Sequence, residues 1–325
     1  METRRLGRTG RNVGVVGLGA WQLGADWGAV GESDALAVLH AAIDGGVTFI
    51  DTADVYGDGR SERLVGQVLK SVGGLTVATK MGRRVEQVPE NYTPANFRAW
   101  NDRSRRNLGV DTIDLVQLHC PPTAVYSDDA VFDALDGMVD EGRIAAYGVS
   151  VETCAEALTA IARPNVASVQ IILNAFRLKP LDEVLPAAQA AGVGIIARVP
   201  LASGLLSGKY DEHTTFAPDD HRTYNRHGEA FDVGETFSGV DFSTGLEAAR
   251  RLTAAVPEGA TLPQFALRWI LDQPGVSAVI PGARNPAQVA GNLAAADLAP
   301  LTADQLAAVR EVYDELIRPQ VHDRW

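Results

Sequence analysis

Short apolar runs alternate along the chain with longer segments in which apolar residues recur at spacings of three and four. The short runs predict β-strands, and the longer segments are typical of helices with one buried face. Strands are predicted near Val15, Thr48, Thr76, Ile113, Ile144, Val166, Val193 and Val276. Helices are predicted over residues 33–44, 60–70, 93–108, 127–141, 154–161, 181–190, 262–271 and 286–295.

This alternation predicts an α/β fold, a closed parallel (β/α)8 TIM barrel with its helices outside. Residues 2–6 and 12–16 flank the turn signal Gly7-Arg8-Thr9-Gly10 and predict an N-terminal β-hairpin. A long loop, residues 202–243, follows the seventh strand, and a C-terminal tail from Leu301 contains a helix over 303–316 with Thr302 as N-cap. The alternative is a doubly wound sheet. Its dinucleotide fingerprint needs a Gly-rich turn that opens directly into a helix, whereas the glycines at 17, 19 and 24 lead into more loop.

Composition limits the classes of partner. The chain has 325 residues, of which 46% are hydrophobic, and we expect one barrel domain over residues 1–325. The net charge of −12 argues against nucleic acid or an anionic membrane surface as a partner. No apolar run reaches the ~18 residues of a membrane span, so a cytoplasmic protein is expected. The two cysteines, Cys120 and Cys154, are too few for a disulfide framework and lack metal-ligand spacing.

Candidate catalytic residues follow the predicted strands. Asp51, Lys80 and His119 each end an apolar run, and Tyr56 lies in the loop after the first of these runs. In a parallel barrel such positions face one mouth, so the four side chains predict a proton-transfer site. A nearby ammonium lowers the pKa of a tyrosine and eases proton donation, and a carboxylate holds that ammonium in place. The plainer alternative is a structural Asp51–Lys80 ion pair beside an edge tyrosine and a hydrogen-bonded histidine.

With these spacings, Asp51, Tyr56, Lys80 and His119 resemble the catalytic tetrad of the aldo-keto reductases. The resemblance covers essentially the whole chain, and the sequence is most similar to bacterial NADP-dependent members. The other matching motifs are Gly17-Leu18-Gly19-Ala20-Trp21, Tyr147-Gly148-Val149-Ser150, Pro200-Leu201-Ala202-Ser203-Gly204-Leu205-Leu206 and Ile280-Pro281-Gly282-Ala283-Arg284. The resemblance implies an enzyme that reversibly reduces an aldehyde or ketone to an alcohol, with hydride from nicotinamide and a proton from Tyr56.

The same resemblance implies NADPH as the cofactor, with NADH possible. Ser150 and Gln170 match the residues that hold the carboxamide, and Val151 replaces the asparagine of the family. Arg198 stands where many members stack an aromatic ring on the nicotinamide; a guanidinium there could stack, or pair with a phosphate or a substrate carboxylate. Asn285 reads as an N-cap before Pro286. The cofactor-binding residues implied are Gly19, Ala20, Trp21, Asp51, Ser150, Gln170, Arg198, Pro200, Leu201, Ser203, Gly204, Leu205, Lys209, Gly282, Arg284, Gln288 and Asn292.

A small carbonyl compound is the expected partner, and the oligomeric state and physiological substrate stay open. The residues predicted to contact this carbonyl substrate are Trp21, Trp27, Tyr56, His119 and Tyr126. The long loop carries His213, His221, Arg222, Tyr224, Arg226 and His227. Its histidine spacing matches no zinc pattern, so no metal is expected, and the loop is either a basic lid or merely solvated.

Two other classes of function remain open. One is a nucleotide-binding regulatory protein with little turnover, like the potassium-channel β-subunit branch of the superfamily. The other is a different barrel enzyme, an isomerase or a metal-dependent hydrolase. The latter needs clustered ligands at several strand ends, and only Asp51, Asp54 and His119 qualify.

Overall fold

The computed structural model describes residues 1–24 and 30–325. Eight parallel strands form one sheet in which each strand pairs with the next along the chain. These strands are β3 (Leu18–Gly19), β4 (Phe49–Asp51), β5 (Thr76–Met81), β6 (Leu115–His119), β7 (Tyr147–Ser150), β8 (Val166–Ile172), β9 (Gly194–Arg198) and β10 (Val276–Val279). They follow an antiparallel hairpin of two strands, Thr3–Arg5 and Asn12–Gly14, here called β1 and β2.

The sheet closes on itself between its first and last strands. Parallel bridges join Val16 to Val279 and Gly19 to Gly282. The N–H of Gly17 donates to the carbonyl of Val279 at 2.8 Å, and the N–H of Val279 donates to the carbonyl of Val15 at 2.9 Å. With helices between successive strands, this closure confirms the (β/α)8 barrel that the sequence pattern predicts.

Helices surround the barrel, and several begin at a threonine N-cap, of which Thr302 was predicted. Thr93, Thr153, Thr261 and Thr302 each accept a hydrogen bond from a backbone N–H three residues later. The described α-helices are Trp21–Gly24, Glu32–Asp44, Arg60–Leu69, Pro94–Leu108, Asp129–Asp140, Cys154–Ile161, Val184–Ala191, His221–Tyr224, Phe242–Thr253, Leu262–Leu271, Pro286–Leu293, Ala303–Val312 and Arg318–Val321. None of the helices described here combines the length and the apolar character needed to cross a bilayer.

The hairpin plugs the amino end of the barrel. Leu6 and Val13 are fully buried and pack with interior side chains of the strands, among them Phe49 and Ile196. Gly7 has φ +49°, and a Cβ there would stand 2.1 Å from the carbonyl oxygen of Ala167, so the backbone approach requires glycine. With the floor closed, only the carboxyl ends of the strands are left to form an open site.

Some element boundaries differ from the predicted ones. Lys80 and His119 lie within β5 and β6 rather than just after them, because the strands extend into polar residues that are buried. The helix Phe242–Thr253 was missed, although Asp241 caps it. The predicted helix over 303–316 gives way after Val312 to a π-helical turn, Tyr313–Ile317.

Candidate active site

A cavity of about 690 Å³ opens at the carboxyl ends of the barrel strands. From the loops up to β9 its lining includes Gly19, Ala20, Trp21, Gln22, Asp51, Tyr56, Lys80, His119, Ser150, Gln170 and Arg198. From the segments after β9 and β10 it includes Leu201, Ser203, Gly204, Lys209, Arg222, Glu235, Gly282, Arg284, Asn285, Gln288 and Asn292. The structure therefore brings most of the predicted site residues to one cavity.

Lys80 connects two members of the predicted tetrad. Its ammonium forms an ion pair with Asp51 Oδ1, donates to the carbonyl of Thr52 at 3.0 Å and lies 3.3 Å from Tyr56 Oη. Lys80 is 1% exposed and Asp51 2% exposed, so this pair is withdrawn from water. The register of parallel neighbours, which sets β4 beside β5, makes the contact possible.

Burial and charge act in opposite directions on the two partners of this contact. Burial would lower the pKa of Lys80, but the carboxylate of Asp51 and the neighbouring Tyr56 outweigh it, so the pKa of the ammonium is raised. Burial raises the pKa of Tyr56, and the ammonium of Lys80 offsets this only in part. The sequence suggested that Lys80 lowers the pKa of Tyr56; burial is the larger effect on this pKa. Tyr56 therefore keeps its proton at neutral pH.

His119 ends β6, next to Tyr56. Their ring centroids are 5.9 Å apart in an edge-to-face arrangement. Burial, together with the cations Arg83, Lys80 and Arg198, lowers the pKa of His119 well below its ordinary value, so the imidazole is neutral. Its Nδ1 is buried and has no hydrogen-bond partner among the described residues.

Two glutamines hold the second carboxylate oxygen of Asp51. Gln117 and Gln170 donate to Asp51 Oδ2 at 3.0 and 2.9 Å, and Gln170 also donates to Gln117 Oε1 at 3.2 Å. Gln170 was predicted to hold the carboxamide; it lines the cavity, but its amide N–H groups are directed to Asp51 and Gln117. Gln117 was missed, although it is a polar residue in an apolar strand. It lies two positions before His119, so the two side chains point to the same face, and it pairs with Lys80 on the neighbouring strand.

An ion-pair group, buried at Arg198 and Glu235 and partly exposed at Arg83 and Glu152, stands beside His119. Arg83 donates to the carbonyl of His119 at 3.1 Å and lies 3.2 Å from Glu152 and 3.0 Å from Glu235. Arg198 donates to Glu152 at 2.7 Å, and its other terminal nitrogen is 3.8 Å from Glu235. We call these four residues the Arg–Glu quartet. Arg198 is thus not a solvated residue, because it is 7% exposed and paired with two carboxylates.

The quartet also explains a grouping of possible metal ligands. Ligand atoms of Cys120, Glu152 and Glu235 all lie within 4.8 Å of one another. Both carboxylates are paired with arginines, and burial raises the pKa of the Cys120 thiol to about 12. Of the three residues that a hydrolase would need, Asp54 is not part of the cavity lining, and burial raises its pKa to about 7. These three side chains therefore favour pairing with arginine over binding of a metal ion.

The far end of the cavity meets the N-terminus of the helix Pro286–Leu293. Asn285 is its N-cap, as predicted, and accepts from the N–H of Gln288 at 2.9 Å. The side chain of Gln288 accepts from the N–H of Arg284 at 2.8 Å, and Asn292 donates to the carbonyl of Gly282 at 3.2 Å. Arg284 is exposed, so its guanidinium stands at the helix end where an anion is favoured.

Several predicted contacts fall outside the cavity lining. Tyr126 is fully buried and donates to the carbonyl of Ser150 at 2.9 Å, so it supports the wall from behind and cannot be the aromatic surface that was predicted. Pro200 and Leu205 likewise do not line the cavity; Leu205 packs toward Gly245. Trp27, another predicted substrate contact, lies outside the described residues. Trp21 does line the cavity and stacks on Tyr56 with ring centroids 6.0 Å apart.

The long loop packs against the barrel mouth. Arg222 lines the cavity and is paired with Asp220 at 2.5 Å. Arg226 lies over the rings of Phe237 and Phe242 at 4.7 and 5.1 Å. Among the described basic residues of the loop, Lys209 and Arg222 reach the cavity lining, and the merely solvated alternative is wrong for Arg222 and Arg226. Ser203 uses its hydroxyl to hold the loop, donating to the carbonyl of Glu235 at 3.0 Å.

Comparison with known proteins agrees with the geometry. A family model described as the Aldo/keto reductase family matches residues 15–314. The chain is 31% identical over 297 residues to the aldo-keto reductase YhdN of Bacillus subtilis, covering 89% of this chain and 87% of that protein. It resembles the glycerol dehydrogenase AKR11B4 of Gluconobacter oxydans with a TM-score of 0.79 at 31% identity, covering 98% and 96% of the two chains. An aldo-keto reductase of Klebsiella pneumoniae solved with NADPH gives a TM-score of 0.71 at 25% identity, covering 96% and 95%.

The chain therefore belongs to the aldo/keto reductase family. It is an NAD(P)H-dependent oxidoreductase of that family.

Proposed function

We propose that the protein reduces an aldehyde or ketone to the alcohol with NADPH, in a reversible reaction for which Tyr56 supplies the proton. The observation that carries this proposal is the buried Lys80 ammonium, which is paired with Asp51 and lies 3.3 Å from Tyr56 Oη. A neutral histidine borders the same space. A proton donor, a cation and a neutral N–H donor around one opening are what the carbonyl oxygen requires when a bound cofactor adds hydride to the carbonyl carbon.

The cavity residues fit a dinucleotide phosphate. Lys209, Arg222 and Arg284 bring cationic side chains to the lining, and the helix after Asn285 directs its free backbone N–H groups to the same end. Ser150 and Gln170 offer polar atoms near the tetrad. The Klebsiella relative solved with NADPH supports the same choice of cofactor. When bound, NADPH supplies the hydride that the protein itself lacks.

The side chains of this chain would then act on the carbonyl oxygen. A proton on Nδ1 of the neutral His119 would be a buried donor without an acceptor among the described residues, which favours the tautomer with the proton on Nε2. From Nε2 it would donate to the substrate oxygen. As negative charge develops on that oxygen, Tyr56 transfers its proton to it. The Lys80 ammonium stabilises the tyrosinate that is left, and Asp51 keeps the ammonium in position. In alcohol oxidation, the same groups work in reverse.

The test is oxidation of NADPH, followed by its absorbance, with a panel of aldehydes and ketones. Nucleotide binding is measured separately by quenching of protein fluorescence. We expect carbonyl-dependent oxidation in the wild type. Tyr56→Phe should lose this oxidation and still bind NADPH, because it removes the hydroxyl beside Lys80. The matched control is Tyr147→Phe, which removes a buried phenol that donates to Asp136 at 2.7 Å, and we expect it to retain the activity. Tight NADPH binding without oxidation by any carbonyl compound would support a nucleotide-binding regulatory protein instead. A single domain over 1–325 and a cytoplasmic location stay part of the proposal.

A further inference from the structure

The Arg–Glu quartet forms one side of the carbonyl end of the cavity. Its members come from separate segments: Arg83 follows β5, Glu152 follows β7, Arg198 ends β9 and Glu235 belongs to the long loop. Only Arg198 and Glu235 of the four line the cavity. Their charges reach the tetrad, since Arg83 and Arg198 act on His119, and Glu235 acts on Tyr56.

The charges at this end of the cavity balance when Glu152 and Glu235 are both ionised. Lys80 is paired with Asp51, and the two arginines of the quartet are paired with its two carboxylates. Glu235 and Arg198 each leave only 8% of the side chain exposed, so solvent screens their interaction with a bound ligand poorly. The phosphate end differs. There the lining carries Lys209, Arg222 and Arg284, with Asp220 paired to one of them.

We propose that Glu235 is a specificity-determining residue that makes the site select uncharged carbonyl compounds and reject anionic ones. The inference rests on the proposed carbonyl reduction and adds the substrate class. A substrate carboxylate placed near Arg198 would meet a guanidinium already paired with two carboxylates, and it would stand beside the negative charge of Glu235. Like charges brought together in a poorly screened site are strongly disfavoured.

This assignment changes what is expected of Arg198. The sequence alone left a substrate carboxylate as one possible partner for this guanidinium. With Glu152 at 2.7 Å and the backbone carbonyl of Val151 at 3.0 Å, the terminal nitrogen Nη2 already has acceptors. Glu235 compensates the other side of the guanidinium. Arg198 therefore holds Glu235 at the cavity surface and does not present a free cation to the substrate.

The test compares two aldehydes that differ in charge and little else, 4-carboxybenzaldehyde and its methyl ester, methyl 4-formylbenzoate. We expect the wild type to favour the ester in kcat/KM by about tenfold or more. Glu235→Gln should reduce that ratio by about tenfold, because it removes the negative charge and keeps the shape of the side chain. The control Glu141→Gln removes a carboxylate paired with Arg98 on the protein surface, and it should leave the ratio unchanged.

The outcomes separate this inference from the proposed function. If neither aldehyde is reduced although NADPH binds, the proposed function fails. If the wild type uses both aldehydes equally, or if folded Glu235→Gln keeps the wild-type ratio, the role of Glu235 is refuted. If Glu235→Gln does not fold, inhibition of the wild-type enzyme tests the same inference. We expect benzamide to inhibit reduction of the ester more strongly than benzoate does, and stronger inhibition by benzoate would refute the inference.

Discussion

The ammonium of Lys80 lies 3.3 Å from Tyr56 Oη and 5.1 Å from the centroid of the same ring, so the lysine approaches the phenol from its hydroxyl end. The two residues come from different strand–loop units, and the pairing of β4 with β5 sets their separation. Because Lys80 is buried and Tyr56 is partly buried, the cation acts on the hydroxyl with reduced screening by water.

Replacing Lys80 by methionine removes this cation and keeps an unbranched side chain of similar length. We expect kcat to fall by about a hundredfold or more, because the tyrosinate formed on proton transfer loses its stabilising charge. Binding of NADPH should change by less than about threefold. Stopped-flow oxidation of NADPH measures the first quantity and fluorescence titration the second. Lys70→Met, at an exposed position, is the control, and a Lys80→Met enzyme with a near-normal rate would contradict the assignment.

Arg284→Ala should weaken NADPH binding by about tenfold and leave NADH binding nearly unchanged. The guanidinium stands at the N-terminus of the helix Pro286–Leu293, where it would form a charge-assisted bond to the 2′-phosphate that NADPH has and NADH lacks. Calorimetric titration with each nucleotide measures the effect. Arg310→Ala, at an exposed position of the C-terminal helix Ala303–Val312, serves as the matched control. Equal losses for NADPH and NADH would place Arg284 elsewhere on the cofactor.

Trp325 supports the segment that carries Glu235. The guanidinium of Arg177 lies 3.6 Å from the centre of its ring, and its indole N–H donates to Asp232 at 2.9 Å. Trp325→Ala should lower the free energy of unfolding by about 3 kcal/mol and raise KM for the carbonyl substrate. Trp325→Phe keeps a ring over Arg177 and should lose only about 1 kcal/mol. Urea denaturation and steady-state kinetics measure both effects; equal losses in the two variants would argue against the packing role.

The selectivity for uncharged substrates should depend on pH. Burial, together with repulsion from Glu235, raises the pKa of Glu152 to about 7. The positive charges of Arg198 and Arg83 act in the opposite direction but do not outweigh these two effects. A carboxyl with a raised pKa is neutral below that value, so the quartet gains a net positive charge as the pH falls from about 8 to about 6. The ratio of kcat/KM for 4-carboxybenzaldehyde over its methyl ester should rise by about threefold across this range. In Glu152→Gln the rise should disappear, and an unchanged rise there would assign the titration to another group.

The sequence was sufficient for the fold because apolar periodicity reports which face of each element is buried. The eight strands, the hairpin and the caps Thr302 and Asn285 were all predicted. The helix Phe242–Thr253 was missed because it follows a long polar loop that hides its start, although Asp241 before a Phe-Ser-Thr run is a capping signal. The π-helical turn after Val312 could not be predicted, because the spacing of apolar residues does not distinguish it from a continuing α-helix.

Site residues at the ends of strands could be predicted from the sequence, whereas those in loops could be predicted less well. Asp51, Lys80 and His119 could be found because β-strand ends in a parallel barrel share one mouth. Arg83, Glu152 and Glu235 could not be found, because each is an ordinary charged residue in its own loop. Only the folded chain brings the guanidinium of Arg83 within 3.2 Å of both carboxylates. Tyr126 was misplaced because a Pro-Pro turn does not reveal which side of the wall an aromatic ring occupies.

The most direct test of the account is single-turnover oxidation of bound NADPH by the ester aldehyde in Tyr56→Phe, compared with the wild type. The variant keeps the ring that stacks on Trp21 and removes only the hydroxyl beside Lys80. We expect the rate to fall by about a thousandfold with NADPH binding retained, because no proton donor of matching position replaces the phenol. A rate within about threefold of the wild type would show that Tyr56 is not the acid.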